Sequence, residues 1–300
     1  MARGRHAHPP RFPRATRRIV VTLLALLVGT VGALTINTGR LQAGTSPAGV
    51  STTTLTVTAN PFRDPAVVRF LAARRDDITA AVCDLRTGAI YTYNPDVAMP
   101  TASMVKIDIL AALLHRAELT SRPLSTADIS LATVMVELSD NDAATALFTQ
   151  LGGPSALNSF NALIGMSHTT SFYNWGATLT TPYDEIALLR TLVLPSDVLS
   201  DADREFELGL MEHVVDYQRF GVGTGETPGA LVGLKNGWFP FDSGWGINSA
   251  GFVMLGNTEY LLAIQTAANP SEQYGRQSVS ELSGLIWTAE RRISAAVPAS

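Results

Sequence analysis

The stretch that decides the fold spans residues 101–118 and reads TASMVKIDILAALLHRAE. Apolar residues recur in it at helical spacing, which predicts a helix that begins close to Ser103. Ser103 and Lys106 are three residues apart and share one face of its first turn. A serine hydroxyl becomes a nucleophile when a base takes its proton, and a lysine whose pKa is lowered by burial can be that base. Alone, such a spacing also arises by chance on solvated helices.

Lysine is rare in this chain. Of the 22 basic side chains, two are lysines, Lys106 and Lys235, and the others are arginines. Arginine keeps its charge under all ordinary conditions, whereas a lysine can be tuned to lose its proton. Codon bias alone also explains such a composition, so the interpretation depends on where the second lysine lies.

Two further motifs follow the first. Ser139-Asp140-Asn141 stands between two helical runs, and Lys235-Asn236-Gly237 stands in a strand-like run near the C-terminus. Alone, the first triplet is typical of a helix N-cap and the second of a hairpin turn. In this order after Ser103-Met104-Val105-Lys106, they resemble the S-x-x-K, S-D-N and K-T-G signature of the penicillin-recognising serine enzymes. This family comprises the class A β-lactamases and the peptidoglycan-directed penicillin-binding proteins.

The resemblance covers the chain from about residue 60 to residue 291 and implies a fold class. The fold is α/β (α+β), with an antiparallel sheet built from both chain ends, flanked by helices, and an inserted all-helical lobe. The residue pattern predicts the same order of elements. It predicts helices at residues 65–75, 127–138, 142–151, 154–163, 182–194, 202–214 and 281–295, a hairpin at 78–93, a loop at 165–181, and strands at 231–239, 247–255 and 260–267.

The resemblance implies a chemical role for four side chains. Ser103 would be the nucleophile that forms an acyl-enzyme, and unprotonated Lys106 would take its proton directly or through water. Ser139 would relay the proton to the departing amide nitrogen, and Lys235 would hold a positive field beside it. These four are the predicted catalytic residues.

The resemblance also implies where a substrate would bind. Asn141 would hydrogen-bond the amide side chain of the substrate, and the backbone N–H groups of Ser103 and Trp238 would form the oxyanion hole. Asn236 and Gly237 complete the substrate-binding set, with Asn236 in place of the usual threonine. A threonine would present its hydroxyl to a substrate carboxylate, and an amide can still donate a hydrogen bond there.

The loop before Pro182 departs from the family pattern. In class A β-lactamases a tryptophan there is commonly followed by the glutamate that activates the deacylating water. Here Gly176 follows Trp175, and the next acidic residue is Asp184. We therefore expect acylation to survive while hydrolysis of the acyl-enzyme slows. Possible substitutes for the glutamate, each also typical of a helix terminus, are Glu137, Asp142 and Asp184.

The N-terminus carries an export signal. Six arginines and no acid precede residue 19, and residues 19–36 are uncharged, which suits a signal peptide cleaved after Ala33 or an uncleaved anchor. We divide the chain into residues 1–40 (basic N-terminus plus signal peptide or anchor), 41–59 (flexible linker) and 60–300 (β-lactamase-like serine hydrolase domain). The expected location is secreted or membrane-anchored, on the extracytoplasmic face, with the N-terminal segment in contact with the membrane.

Charge and composition limit the partners. From residue 41 onward there are 15 basic and 26 acidic residues, which argues against nucleic acid. No histidine pair in the folded part has metal-ligand spacing, so we expect neither a metal nor a cofactor. The single cysteine, Cys83, lies in a strand pattern and is expected in the core. We expect a monomer that binds a small-molecule β-lactam or a cell-wall peptide.

Three functions remain open at this point. The first is an exported serine hydrolase, resembling class A β-lactamases, that is acylated on Ser103 by a β-lactam or a peptidoglycan-type amide. The second is a D-Ala-D-Ala-type peptidase. The third is a non-catalytic extracytoplasmic domain that keeps the fold and binds the cell wall. The presence of both lysines favours an enzyme, because a pure binder has little need of them in a chain that otherwise uses arginine.

Overall fold

The computed structural model describes residues 60–75 and 77–296. The predicted export signal, the predicted cleavage position after Ala33 and the predicted linker through residue 59 lie outside the described residues. Within 60–75 and 77–296, none of the helices combines the length and the apolar character that crossing a membrane requires.

Helices and strands follow one another in the predicted order. The helices are α1 (Pro65–Ala73), α2 (Lys106–Leu119), α3 (Thr126–Glu137), α4 (Asn141–Leu151), α5 (Gly153–Leu163), α6 (Pro182–Val193), α7 (Asp201–Glu212) and α8 (Glu272–Ala296). The strands are β1 (Asp77–Asp84), β2 (Ile90–Tyr93), β3 (Met99–Pro100), β4 (Leu179–Thr180), β5 (Leu231–Phe241), β6 (Gly244–Leu255) and β7 (Thr258–Asn269).

Strands from both ends of the chain form one antiparallel sheet. Its order is β2-β1-β7-β6-β5, so that β1 from the N-terminal hairpin pairs along its whole length with β7. Most of the helices, α2 to α7, lie in sequence between these two groups of strands. The predicted fold, a sheet built from both termini with an inserted helical lobe, is confirmed. Strand β5 lies at one edge of this sheet.

Two parts of the secondary structure differ from the prediction. The closing helix α8 begins at Glu272 rather than at residue 281. In its first turns, a Cβ at Gly275 would lie 2.3 Å from Ile247 on β6, so the helix packs closely against this strand. A close contact of this kind excludes a large apolar side chain, and the sequence pattern that indicates a helix is therefore weak there. The predicted loop at residues 165–181 contains a short 3-10 helix (Trp175–Ala177) and β4, which pairs with β3.

Helix α2 lies at the centre of the molecule. Every residue from Lys106 to Leu114 is buried, which is typical of a helix surrounded by other elements. It packs against α4 and α5 on the helical side, and the 3-10 helix before it packs against β5. Ser103, just before α2, is therefore held between the helical lobe and the sheet. Cys83 is buried in β1, as predicted.

Three carboxyl groups are buried near the contacts of α7 with α2 and α6. Burial raises the pKa of Asp108 to about 8. Burial and the nearby Asp108 raise the pKa of Glu185 and of Glu207 well above the usual range. No carboxyl oxygen of the three has a hydrogen-bond partner, and within the described residues no group of acidic, His or Cys side chains is arranged to hold a metal ion. The raised pKa values therefore favour the protonated, neutral form of these groups in the core.

Replacing Glu207 by glutamine tests this assignment. The unfolded chain releases the proton of Glu207 near its ordinary pKa of 4.5, whereas the folded chain retains it to higher pH. The wild-type free energy of unfolding therefore falls as pH rises above that value, by up to about 1.4 kcal/mol per pH unit for this group. We expect the stability of Glu207→Gln relative to the wild type to be greater at pH 8 than at pH 5, as measured by urea unfolding.

The matched control is Glu205→Gln, which changes an exposed carboxyl on the same helix. It should alter the free energy of unfolding little at either pH. If the free energy of unfolding of Glu207→Gln differed from that of the wild type by the same amount at pH 5 and at pH 8, the assignment of a buried, protonated Glu207 would be contradicted.

Candidate active site

The two lysines meet at one serine hydroxyl. Nζ of Lys106 donates to Oγ of Ser139 at 3.1 Å, and Nζ of Lys235 donates to the same oxygen at 3.0 Å. Lys106 also donates to the carbonyl oxygen of Ser139 at 2.6 Å and to Oδ1 of Asn141 at 2.8 Å. Residues that lie 33 and 96 positions from Ser139 in the chain thus form one connected group.

Ser103 lies on the 3-10 helix Ala102–Val105, directly before Lys106, the first residue of α2. Ser103 is partly exposed, whereas Lys106 is fully buried. Ala102 has a φ of +49°, a conformation that residues other than glycine rarely adopt. Such backbone strain often accompanies functional sites, because the surrounding structure must enforce it.

Buried amides of the sheet hold the segment that leads to Ser103. Nδ2 of Asn248 on β6 donates to the carbonyl oxygens of Pro100 (2.8 Å) and Thr101 (3.0 Å). Nε2 of Gln265 on β7 donates to the carbonyl oxygen of Met99 at 3.3 Å. The sequence analysis missed both amides. In the sequence, each amide could have been noticed as a polar residue within a run that is mostly apolar and was predicted to be a strand.

At Gly237, the backbone of β5 contacts the backbone of the 3-10 helix directly. A Cβ at this position would lie 2.2 Å from the carbonyl oxygen of Thr101, 2.7 Å from the N of Met104 and 2.8 Å from the N of Ser103. Only a residue without a side chain allows this contact between backbones. The predicted oxyanion donors, the N–H groups of Ser103 and Trp238, lie on the two segments that meet here.

The turn between α3 and α4 presents Ser139 to the lysines. Ser139 has a φ of +59°, which is again uncommon for a residue with a side chain. Asp140 caps α4 by accepting a hydrogen bond from the N–H of Ala143 at 2.7 Å. Asn141 begins α4, is exposed, and points its Oδ1 at Lys106. The cap and the bonds to Lys106 together hold this turn.

The charge state of the two lysines is shifted by their surroundings. Burial lowers the pKa of Lys106 to about 8, although the charge of Asp140 opposes the shift. Burial and the positive charge of Lys106 lower the pKa of Lys235 well below its usual value. A serine hydroxyl both accepts and donates hydrogen bonds. Ser139 can therefore pass a proton between an ammonium group and a neighbouring base.

The side chain of Asn236 is hydrogen-bonded to the backbone. Its Nδ2 donates both hydrogens to backbone carbonyls, those of Gln218 (2.6 Å) and Phe220 (2.8 Å). The side chain is fully buried. Both N–H groups of the amide therefore have backbone partners, which motif position did not reveal because these partners lie 16 and 18 residues earlier in the chain. The substrate-binding role of Asn236 stays a prediction.

An aromatic ring lies beside Lys106. Nζ of Lys106 is 5.0 Å from the ring centroid of Trp175, whose Nε1 donates to Oγ1 of Thr145 at 3.1 Å. Gly176, the next residue, carries no side chain. Asp184 is buried and accepts hydrogen bonds from His168 and Thr169. None of the three suggested substitutes, Glu137, Asp142 and Asp184, hydrogen-bonds to Lys106 or Ser139 in the described structure.

Arg276 is a further residue that the sequence analysis missed. Its guanidinium group stacks over the rings of Phe220 (4.2 Å) and Trp238 (4.6 Å). Glu272, one turn earlier on α8, pairs with it at 2.7 Å. These contacts hold Trp238 against α8. The signal in sequence is weak, because an arginine four residues after a glutamate is typical of any solvated helix.

Known proteins resemble this chain in sequence and in fold. The chain matches the model of the beta-lactamase enzyme family over residues 65–127 and 125–289. A class A beta-lactamase of the last common ancestor of Gram-negative bacteria is 24% identical, with a TM-score of 0.65 over 74% of this chain and 97% of that chain. A beta-lactamase from Chitinophaga pinensis is 18% identical, with a TM-score of 0.65 over 75% of this chain and 97% of that chain. No curated protein matches significantly.

These similarities confirm the resemblance drawn from the three motifs. At such identities the solved structures establish the shared fold, and the family model covers the segments that carry Ser103, Ser139 and Lys235. The role of each of these side chains stays a prediction.

The contact at Gly237 yields a testable expectation. In Gly237→Ala the added methyl group would push β5 away from the 3-10 helix that carries Ser103, at a stability cost of about 1–3 kcal/mol. We expect acylation of Ser103 to fall by at least about 100-fold, because a small displacement of oxyanion donors costs about that much. Stopped-flow acylation kinetics and thermal unfolding measure the two effects.

Gly209→Ala provides the control for a glycine replacement. Gly209 lies within α7, and a Cβ there meets no atom within 4 Å. This variant should keep its acylation rate, and its free energy of unfolding should rise by up to about 1 kcal/mol, because alanine has the higher helix propensity. Wild-type acylation in Gly237→Ala would show that the contact is not needed for the chemistry.

Proposed function

Because the chain belongs to the beta-lactamase enzyme family, we propose that it is a serine hydrolase acylated on Ser103 by a β-lactam or a related peptidoglycan-type amide. The observation that supports this best is the Ser139 hydroxyl between Nζ of Lys106 and Nζ of Lys235. A pair of buried lysines around one hydroxyl suits proton transfer during acyl transfer. Arginine, the basic residue used elsewhere in this chain, cannot do this because it does not release its proton.

In the acylation step, neutral Lys106 takes the proton of the Ser103 hydroxyl as Oγ attacks the amide carbonyl carbon. The negative charge that develops on the carbonyl oxygen is stabilised by the N–H groups of Ser103 and Trp238. Collapse of this intermediate breaks the bond between carbon and nitrogen. Ser139 gives its proton to the departing nitrogen and receives the proton that Lys106 acquired, which restores neutral Lys106. The positive charge of Lys235, when present, favours the negative intermediate.

Substrate binding in this proposal involves the two segments that flank Ser103. Asn141 lies on the α4 side and Gly237 on the β5 side. The amide nitrogen of Asn141 would bond to the carbonyl of the substrate's acyl side chain, since its Oδ1 is held by Lys106. No cofactor or metal takes part in these steps.

Hydrolysis of the acyl-enzyme is proposed to be slow. A water molecule needs a base to attack the ester, and the side chain that the loop before α6 places beside Lys106 is the ring of Trp175. This feature favours a second candidate, a D-Ala-D-Ala-type peptidase that also forms an acyl-enzyme but is inhibited by β-lactams. A non-catalytic cell-wall-binding domain is less well supported, because it does not explain the two lysines on Ser139.

We further propose that the reaction takes place on the extracytoplasmic side of the membrane. This rests on the basic N-terminus and on the uncharged residues 19–36. The protein would then be secreted as a monomer or held at the membrane by that segment, where cell-wall peptides are within reach.

Intact mass spectrometry after addition of benzylpenicillin tests the proposal, with Ser103→Ala as the control. We expect an adduct of the mass of the penicillin on the wild type only, which persists for minutes because deacylation lacks a base. A transient adduct with released penicilloate would indicate an efficient β-lactamase. If wild type and Ser103→Ala both stay unmodified by β-lactams and by D-Ala-D-Ala esters, the acyl-enzyme proposal fails.

The pKa of Lys106 gives a prediction for the pH dependence of acylation. Only the neutral amine accepts the proton of Ser103, so the acylation rate constant should rise with pH and level off above about pH 8. In Lys106→Arg the charge stays but the base is lost, and the rate should fall by about 10²- to 10⁴-fold at every pH. Stopped-flow kinetics from pH 6 to pH 10 measures both. A wild-type rate in Lys106→Arg contradicts the role of Lys106.

A further inference from the structure

A cavity of about 580 Å³ lies beside α6 and is called here the α6 cavity. Four parts of the chain line it: the turn between β1 and β2, the residues directly after α5, one face of α6, and the segment that follows α6. None of the lining residues belongs to the predicted catalytic or substrate-binding set. Cavities of roughly 300 to 1,000 Å³ are typical of small-molecule sites.

Arg190 on α6 is the charged residue that lines the α6 cavity. Within residues 60–75 and 77–296, its guanidinium group forms a single hydrogen bond, from Nη1 to Sγ of Cys83 at 3.5 Å, and no ion pair. A thiol sulfur is a weak acceptor. Asp84, the residue after Cys83, pairs instead with Arg86 at 3.1 Å. Most N–H donors of Arg190 are therefore without a partner in this part of the chain.

The other half-buried arginines of the described residues have stronger partners than a thiol. Some pair with a carboxylate and the rest donate to two backbone carbonyls; the former are Arg74, Arg86, Arg204 and Arg276, and the latter is Arg219. A partly buried guanidinium group loses hydration, and this is costly unless strong acceptors replace the water. Arg190 lacks such acceptors, and a bound anion would supply them.

The other lining residues indicate which kind of anion fits. Ile90, Ile164 and Leu194 give the α6 cavity apolar walls. Oγ of Ser196 accepts a hydrogen bond from the N–H of Val198 at 3.0 Å, so its own hydrogen stays free for a ligand. The described lining residues include no second cationic side chain, which suits a ligand with one negative charge better than a phosphate dianion.

We propose that the α6 cavity binds a small monocarboxylate that has an apolar body. The carboxylate accepts hydrogen bonds from Arg190, because the planar guanidinium fork matches the two oxygens of a carboxylate. Ser196 donates a further hydrogen bond to the ligand, and the apolar body packs against the isoleucine and leucine walls. The inference does not depend on the proposed function, since the lining residues are separate from the predicted catalytic set.

Calorimetry on the full-length protein with two matched probes tests the inference. The probes are 4-phenylbutyrate and its neutral amide, 4-phenylbutyramide, which share the apolar body and differ in charge. We expect the acid to bind with a dissociation constant at least about tenfold lower than that of the amide, because the amide cannot form a charge-assisted pair with Arg190.

Two variants locate the bound probe. Arg190→Gln removes the charge and should weaken binding of the acid by about tenfold or more, while the amide binds as before. Ala187→Phe keeps Arg190 but occupies part of the cavity from the face of α6, and it should weaken both probes by at least about fivefold.

The matched control is Arg69→Gln, which removes an exposed arginine on α1. It should leave the dissociation constants of both probes unchanged. Thermal unfolding verifies that each variant is folded.

Several outcomes would overturn the inference. Equal affinity of the wild type for acid and amide is one, and no binding of the acid at about 10 mM is another. A preference for the acid that persists in a folded Arg190→Gln is a third, because the carboxylate would then bind elsewhere, for example beside the two lysines. If Arg190→Gln does not fold, unchanged affinity of Ala187→Phe for both probes overturns the inference. Displacement of the acid by inorganic phosphate at equal concentration would replace the monocarboxylate with a phosphate ligand.

Discussion

The site depends on the burial of two lysines around one hydroxyl group. A buried ammonium group is costly unless hydrogen-bond acceptors surround it, and among residues 60–75 and 77–296 no carboxylate forms an ion pair with either lysine. The acceptors come from Ser139, through its carbonyl and hydroxyl oxygens, and from Asn141. The left-handed backbone conformation of Ser139 and the N-cap that Asp140 provides to α4 hold these acceptors in place beside the lysines. The same burial lowers the pKa of both lysines, so the feature that is costly for stability favours the neutral amines that the proposed proton transfer requires.

The loop before α6 contacts the candidate active site through one aromatic residue. Trp175 places its indole ring beside Lys106, and Gly176, the next residue, carries no side chain. The same ring lines a cavity of about 550 Å³ between α4 and this loop. Trp175 therefore lies between Lys106 and that cavity.

Much of the fold and part of the site follow from local sequence patterns. The periodicity of residues 101–118, the hairpin and the three returning strands predicted the order of elements, because helices and strands bury one face at a characteristic period. Ser103 and Lys106 could be paired because three residues span less than one helical turn. Lys235 and Ser139 could be joined to them only through the family resemblance, since no local rule relates residues 96 positions apart.

The sequence by itself therefore determined the elements, the fold class and the identity of the residues in the three motifs. Tertiary structure alone decided which polar atoms those residues meet. It directed Asn236 to the carbonyls of Gln218 and Phe220 and placed Arg276 over Trp238. The physical reason is that periodicity reports which face of an element is buried, whereas hydrogen bonds and cavities arise between elements that are distant in the chain.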